Sequence, residues 1–274
     1  MAITFQSSQT ATFAGNSLTI TKPTSTAVGD LLIATITTQS AITSVPSGWT
    51  EITNRDSTTS YARTYCYYVI ATSTQTAASN FTWVATSTTV IAGGISRITG
   101  DFHTTPVSVF ASGVSSASSS QTFTASVTPN NASSLLMFIL STGSNSGGSN
   151  TSSGYAITTS NPSWTEAYDV TVFASTTFVH NAMAYATRPE VTATGNATSS
   201  TPNGFESSAV ILVIRPKISF EFSETITTSE TRMKTVNKLI SDSVSLVETI
   251  SQKLGRLWTT VTKPVTTWIN KIKP

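Results

Sequence analysis

Charge is what this chain has least of. Only 10% of its 274 residues are charged and the net charge is +2, too mild a balance for a phosphate backbone, and nucleic acid is not an expected partner. The one cysteine, Cys66, excludes an intrachain disulfide and leaves stability to packing. Lying in an aromatic run, it reads as a small buried hydrophobe. The two histidines, His103 and His180, have no companions at metal-ligand spacing, so neither a metal nor a cofactor is expected. Neither adjoins a Gly-x-Ser-x-Gly nucleophile motif, no Gly-rich loop carries a P-loop lysine, and the few carboxylates are scattered. The chain is therefore expected not to be an enzyme. No stretch has the ~20 continuous apolar residues of a membrane span. MAITFQSSQTATF has no basic region followed by an apolar one, so it does not read as a secretory leader.

Serine, threonine, branched residues and aromatics fill the space that charge leaves. Branched and aromatic side chains suit a pleated surface, and the chain reads as all-β over residues 1–216. Alternation is plain in Ala2 to Phe5, Ala11 to Phe13 and Ser17 to Ile20, the pattern of half-buried strands. Gly15-Asn16 between two of these runs reads as a tight hairpin. Gly93-Gly94 inside a strand suggests a bulge or a close backbone approach.

One block is written twice. The first copy reads GDLLIATITT (29–38) and PSGWTEI (46–52); the second reads SSLLMFILST (133–142) and NPSWTEA (161–167). Each continues through an aromatic strand to a closing apolar strand, IAGGISRI (91–98) or SSAVILVI (207–214). Two related halves are implied. The near-continuous apolar runs should be central strands covered on both faces. Trp49 and Trp164 stand at matching strand entrances, where an indole plugs the end of a sandwich with its N–H on a loop carbonyl. With Trp83 they are also the candidate ligand-stacking residues. Glu51 and Glu166 repeat too, and equivalent places in two halves make them a poor catalytic pair.

After Lys217 the pattern changes. SETITTSETRMKTVNKLI (223–240) is followed by its own echo, SDSVSLVETISQKLGRLW (241–258). Ser223 to Ser241 is five turns at ~3.6 residues per turn. On that spacing Ile226, Val236, Ile240, Val244, Val247, Leu254, Trp258 and Val261 fall on one amphipathic stripe, so residues 217–274 read as a helical segment for oligomerisation or anchoring. Local alternation in SVSLVETIS keeps a stacked β stalk as the rival. The stripe needs a partner: a second copy in a homo-oligomer, or a socket on a larger assembly. The cationic, Trp-bearing end, with Trp258, Trp268 and Pro264, also allows contact with a membrane surface.

On GDLLIA (29–34), PSGWTEI (46–52), YYVIAT (67–72), FTW (81–83), AGGISRI (92–98), Asp101 to Val107, SLLMFIL (134–140), WTEA (164–167) and VILVIRP (210–216), the chain resembles a jelly-roll module. That module is found in virion surface proteins of phages and other viruses, of decoration or fibre type with a concanavalin-like sandwich. The resemblance implies one jelly-roll β-sandwich made by the two related halves, exposed on a particle and anchored by its tail. It further implies other virion proteins as partners and a place on the virion surface, made in the host cytoplasm and released by lysis. Two other readings stand beside it. One is a carbohydrate-binding module for host surface glycans, and the other is a self-polymerising extracellular filament subunit.

Overall fold

Leucine, isoleucine, alanine and threonine fill Leu31–Thr38 and leave that strand no charged face to turn to water, and all eight residues are buried. The computed structural model describes residues 3–57, 61–87, 90–115, 119–129, 132–146, 151–159, 161–201, 205–217, 249–254 and 257–262. In the first half these form β1 (Thr4–Phe13), β2 (Ser17–Thr21), β3 (Leu31–Thr38), β4 (Ile42–Ser44), β5 (Thr50–Asp56), β6 (Arg63–Ile70), β7 (Asn80–Ala85) and β8 (Ile91–Thr99). A short helix, α1 (Ser73–Ala77), joins β6 to β7, capped by Thr72 and Gln75 in a reciprocal capping box. The second half contains β9 (Phe102–Ser115), β10 (Ser120–Phe123), β11 (Ser134–Ser144), β12 (Ser153–Ile157), β13 (Thr165–Ala174), β14 (Thr177–Arg188), β15 (Ala197–Ser200) and β16 (Ser207–Pro216).

Each half makes two antiparallel sheets, and the strand orders match. The first half has β1-β8-β3-β6-β5 and β2-β7-β4; the second has β9-β16-β11-β14-β13 and β10-β15-β12. The bulges match as well, at Glu51/Thr53 in β5 and Glu166/Tyr168 in β13. The duplication read from the sequence is thus a duplication of topology. One expectation is corrected: the halves do not combine into one sandwich, because each closes its own.

Alternation in the central strands explains why. On β3, Leu32, Ala34 and Ile36 join a core with Leu18, Ile20, Phe81 and Trp83 of the smaller sheet. On β11, Leu136, Phe138 and Leu140 do the same with Phe123, Tyr155 and Ala197. The opposite faces meet each other: Leu31 and Ile33 pack in one cluster with Leu135, Met137 and Ile139. The two five-stranded sheets therefore lie face to face between the two three-stranded ones. A strand in a middle layer has two apolar faces to cover, which is what its unbroken hydrophobic run encodes.

The middle seam is polar at one end. Thr37 and Ser141, which occupy corresponding positions in the two halves, are hydrogen-bonded at 2.6 Å. Asn181 donates to Thr37 at 2.9 Å and accepts from Thr35 at 2.8 Å. Thr35 also meets the Tyr168 hydroxyl, and Thr64 meets Ser208 at 2.6 Å. All of these groups except the Tyr168 ring are essentially without exposed surface, and each finds its partner within the seam. Cys66 lies in the apolar part of the same seam, where burial pushes its thiol far above the ordinary range.

One local reading differs from what is observed, and one that left two outcomes open is decided. Gly15-Asn16 does not turn a hairpin, because β1 and β2 belong to different sheets and the chain crosses the sandwich there. Gly93-Gly94 marks the close approach rather than a bulge: a Cβ on Gly94 would lie 2.6 Å from the Tyr168 ring of the other half.

The chain divides into two compact units, Met1–Phe220 and Glu221–Pro274. In the second, β17 (Thr249–Leu254) and β18 (Leu257–Thr262) pair antiparallel, with Lys253 opposite Trp258 and Ile250 opposite Val261. Strand stands over these two stretches where helix was expected, in keeping with the branched run Thr259 to Thr262. Leu254, Trp258 and Val261 lie on this hairpin. Ile226, Val236, Ile240, Val244 and Val247, with the rest of the expected helical segment, lie outside the described residues.

Replacing Gly94 with alanine is expected to destabilise the chain by about 1–3 kcal/mol, the usual penalty for overpacking. Tyr168→Leu in the same chain relieves that contact but gives up the hydrogen bond to Thr35, so the double variant should lose less than the sum of the two single ones. Urea unfolding of the single and double variants measures both.

Candidate functional site

The tryptophans set the two halves apart. Trp49 and Trp164 immediately precede β5 and β13, so both stand at the same place in the duplicated topology. Trp49 is buried, with its ring edge-on to Phe81 and to Trp83, both at 5.3 Å between centroids. Trp83 has no exposed surface and also meets Tyr67. Neither ring has a face to offer a ligand. The indole N–H groups of Trp49 and Trp83 have no hydrogen-bond partner among the described residues.

Trp164 is only half-buried. Its N–H donates to Asn161 Oδ1 at 3.0 Å, so the expected plug with a bonded indole is found here, with a side-chain carbonyl in place of a loop one. The same Asn161 oxygen accepts from Ile157 N–H at 3.0 Å, which fixes the 161–163 turn against β12. The ring meets Phe138 edge-on at 5.9 Å. Phe81 and Trp83 have no counterparts around it. The inward residues of β7 are Phe81, Trp83 and Ala85, whereas β15, the matching middle strand of the smaller sheet, turns Ala197 and Ser199 inward. At the mouth of the second sandwich a cleft of about 540 Å³ is lined by Trp164, Tyr155, Glu166, Asn161, Ser153 and Gly154, among others. The 161–163 turn separates it from a second cleft of about 680 Å³ that includes Tyr185 and Glu190.

Behind the cleft lies a cluster that the sequence did not reveal. Ser152 Oγ is 2.7 Å from His180 Nε2, His180 Nδ1 is 3.1 Å from Asp169 Oδ1, and Thr171 Oγ1 is also 3.1 Å from Nδ1. Asp169 Oδ2 accepts the Ser152 backbone N–H at 2.5 Å. Burial lowers the His180 pKa from 6.5 to about 4, so the ring is neutral at pH 7. Burial raises that of Asp169 to about 6, a value the Ser152 N–H restrains. A neutral ring beside a carboxylate carries its proton on Nδ1 and accepts from the serine through Nε2. These are distances of an activated serine. The setting is that of a latch: Ser152 keeps 4% of its surface, and its own N–H is held by the carboxylate. The trio ties the lead-in of β12 to β13 and β14. The first half has a different solution at the same place. Counted from the matching pairs Thr50·Tyr68 and Thr165·Tyr185, the counterpart of Thr171·His180 is Asp56·Arg63, a partly exposed ion pair at 3.4 Å.

No spacing motif could have found this trio, because its members come from three segments. Aligning the two copies could have flagged it, since His180 falls where the first copy has an arginine. His103, the other histidine, lies 2.5 Å from an Arg215 nitrogen at the junction of β9 and β16. Tyr155 has its hydroxyl buried near Ser152 but in no well-directed hydrogen bond. Desolvation, together with the charges of Glu166 and Asp169, raises its pKa. Desolvation also raises that of Glu166. Among the described residues no group of three or more His, Cys, Asp or Glu side chains could hold a metal, and no helix is long and apolar enough to cross a membrane.

The two titrations of the latch oppose each other. With a folded pKa depressed to about 4, His180 loses stability as pH falls from 6.5 toward 4. With a folded pKa raised to about 6, Asp169 gains stability as pH falls from 6 toward its ordinary 3.8. Asp169→Asn keeps an acceptor for Ser152 and removes the second contribution. Relative to the parent chain, its unfolding free energy should fall by about 1.4 kcal/mol per pH unit from pH 6 to pH 4. Denaturant unfolding at pH 4, 5, 6 and 7 measures the difference.

Comparison with protein families, with curated proteins and with solved structures finds no match to this chain.

Proposed function

We propose that this chain is a non-enzymatic structural protein of a virus particle, a capsid decoration or a tail or fibre component. Each half is a jelly roll in this reading: eight strands in two sheets, with β5 and β13 added to the larger sheet. The observation that carries the proposal is the division of the chain into a large β body, Met1–Phe220, and a separate unit, Glu221–Pro274. A body joined through two sheets, with a neutral surface rich in hydroxyl groups, suits display. A repeated amphipathic segment suits assembly into a homo-oligomer or attachment to other particle proteins.

Light scattering on the full chain, beside a chain ending at Lys217, tests the division of labour. A discrete oligomer for the full chain and a folded monomer for the shorter one is the expected result. Monomers in both cases would remove self-assembly from the tail. Open-ended fibres of the full chain under negative stain would favour a filament subunit instead.

A further inference from the structure

We propose that the cleft beside Trp164 binds one residue of a neutral glycan. The second sandwich alone supports the site, however the tail assembles, and the two halves differ at it. The same tryptophan is sealed in one by Phe81 and Trp83 and left half-open in the other. A tryptophan needed only as a plug would have no use for the second arrangement.

The open ring is held ready. Asn161 anchors the indole N–H, and Phe138 supports it edge-on, so little side-chain freedom remains to be lost on binding. The C–H face of a sugar ring presents weakly positive hydrogens, which match the negative face of an indole. Polar groups surround that ring. Glu166 follows Trp164 closely on β13, is exposed, and can accept from two adjacent hydroxyl groups. Asn161 spends its oxygen twice, on Trp164 and Ile157, which leaves its two N–H donors without a partner among the described residues. Tyr155 lines the same cleft with its ring and is 8% exposed. An acceptor and a pair of donors around a fixed aromatic face suit a polyhydroxylated ring, and the volume lies within the about 300–1,000 Å³ of small-ligand sites.

Charge selects among glycans. Of the charged groups lining the two adjoining clefts, Glu190 in one is paired with Arg188 at 3.6 Å, while Glu166, in the cleft beside Trp164, is a carboxylate with Asp169 behind it. A sialic or uronic acid would bring like charge into that space, so the ligand is neutral.

The test is a printed array of galactose-, mannose- and N-acetylglucosamine-terminated oligosaccharides with their sialylated counterparts, probed with the full chain. Binding to at least one neutral glycan, and weaker binding to its sialylated form, is expected. Trp164→Ala should lower that signal about tenfold or more. Ser163→Trp, a change at the exposed rim that leaves the core untouched, should lower it comparably and decides the matter if Trp164→Ala fails to fold. The proposal is overturned if no neutral glycan binds, if the sialylated forms bind as well or better, or if a folded variant of either kind binds like the parent.

Discussion

The contact between the two five-stranded sheets is the constraint on which the rest of this molecule depends. Burying one face of a sheet stabilises a small sandwich only modestly, since small domains hide a limited share of their surface. Here each large sheet hides both faces, one against its own smaller sheet and one against the other half. That doubles the work of β3, β8, β11 and β16, and it dictates their composition. Leu31–Thr38 and Ser134–Ser144 are buried at every position. On the faces that meet, Thr35, Thr37 and Ser141 are admitted with partners supplied by the opposite half.

Those admitted residues give the seam its register. Thr35, Thr37, Ser141, Asn181 and Tyr168 form one network in which each polar group depends on the other half. An apolar seam alone could slide by a residue pair at small cost. Displacing this one would strand an amide and several hydroxyls in the interior, at about 1–3 kcal/mol for each group left unpaired. Corresponding residues meeting one another, as Thr37 meets Ser141, is what an isologous contact between two like units produces. The network therefore specifies how the halves sit, and the hydrocarbon around it supplies most of the favourable free energy.

Much of this was legible in the sequence, for a physical reason. The duplicated blocks, the all-β character, the doubly covered central strands and the tryptophan at each strand entrance are local patterns fixed by spacing of apolar residues. The allocation of strands to sheets was not legible. Whether Leu32 and Leu31 serve one sandwich or two layers depends on pairings far apart in the chain, and Gly15-Asn16 looks like a hairpin until its two strands are placed in different sheets. The hydroxyl seam was hidden by abundance, since serine and threonine are everywhere and only tertiary partners distinguish Thr37 from its exposed neighbours. Ser152, Asp169 and His180 were hidden for the opposite reason: three ordinary residues, far apart, matching no motif. Trp164 was visible as a candidate, but nothing local separated it from Trp49 and Trp83.

Duplication also explains how the second sandwich could open. Removing a large buried ring from a closed core costs about 3–5 kcal/mol, because a cavity remains that neither protein nor water fills. At the mouth of the second sandwich, where Ala197 and Ser199 stand at positions corresponding to large rings in the first, part of the space is filled by Phe138 and Tyr155, which meet edge-on at 5.3 Å. The cleft beside Trp164 opens to solvent, so it carries no penalty of a sealed void. The Ser152–His180–Asp169 latch ties the lead-in of β12 to β13 and β14 there, whereas the matching place in the first half has an ion pair between Arg63 and Asp56 that joins β5 to β6 alone. Stability rests on the seam and on the closed first half, and that frees the outer end of the second half to keep an indole exposed.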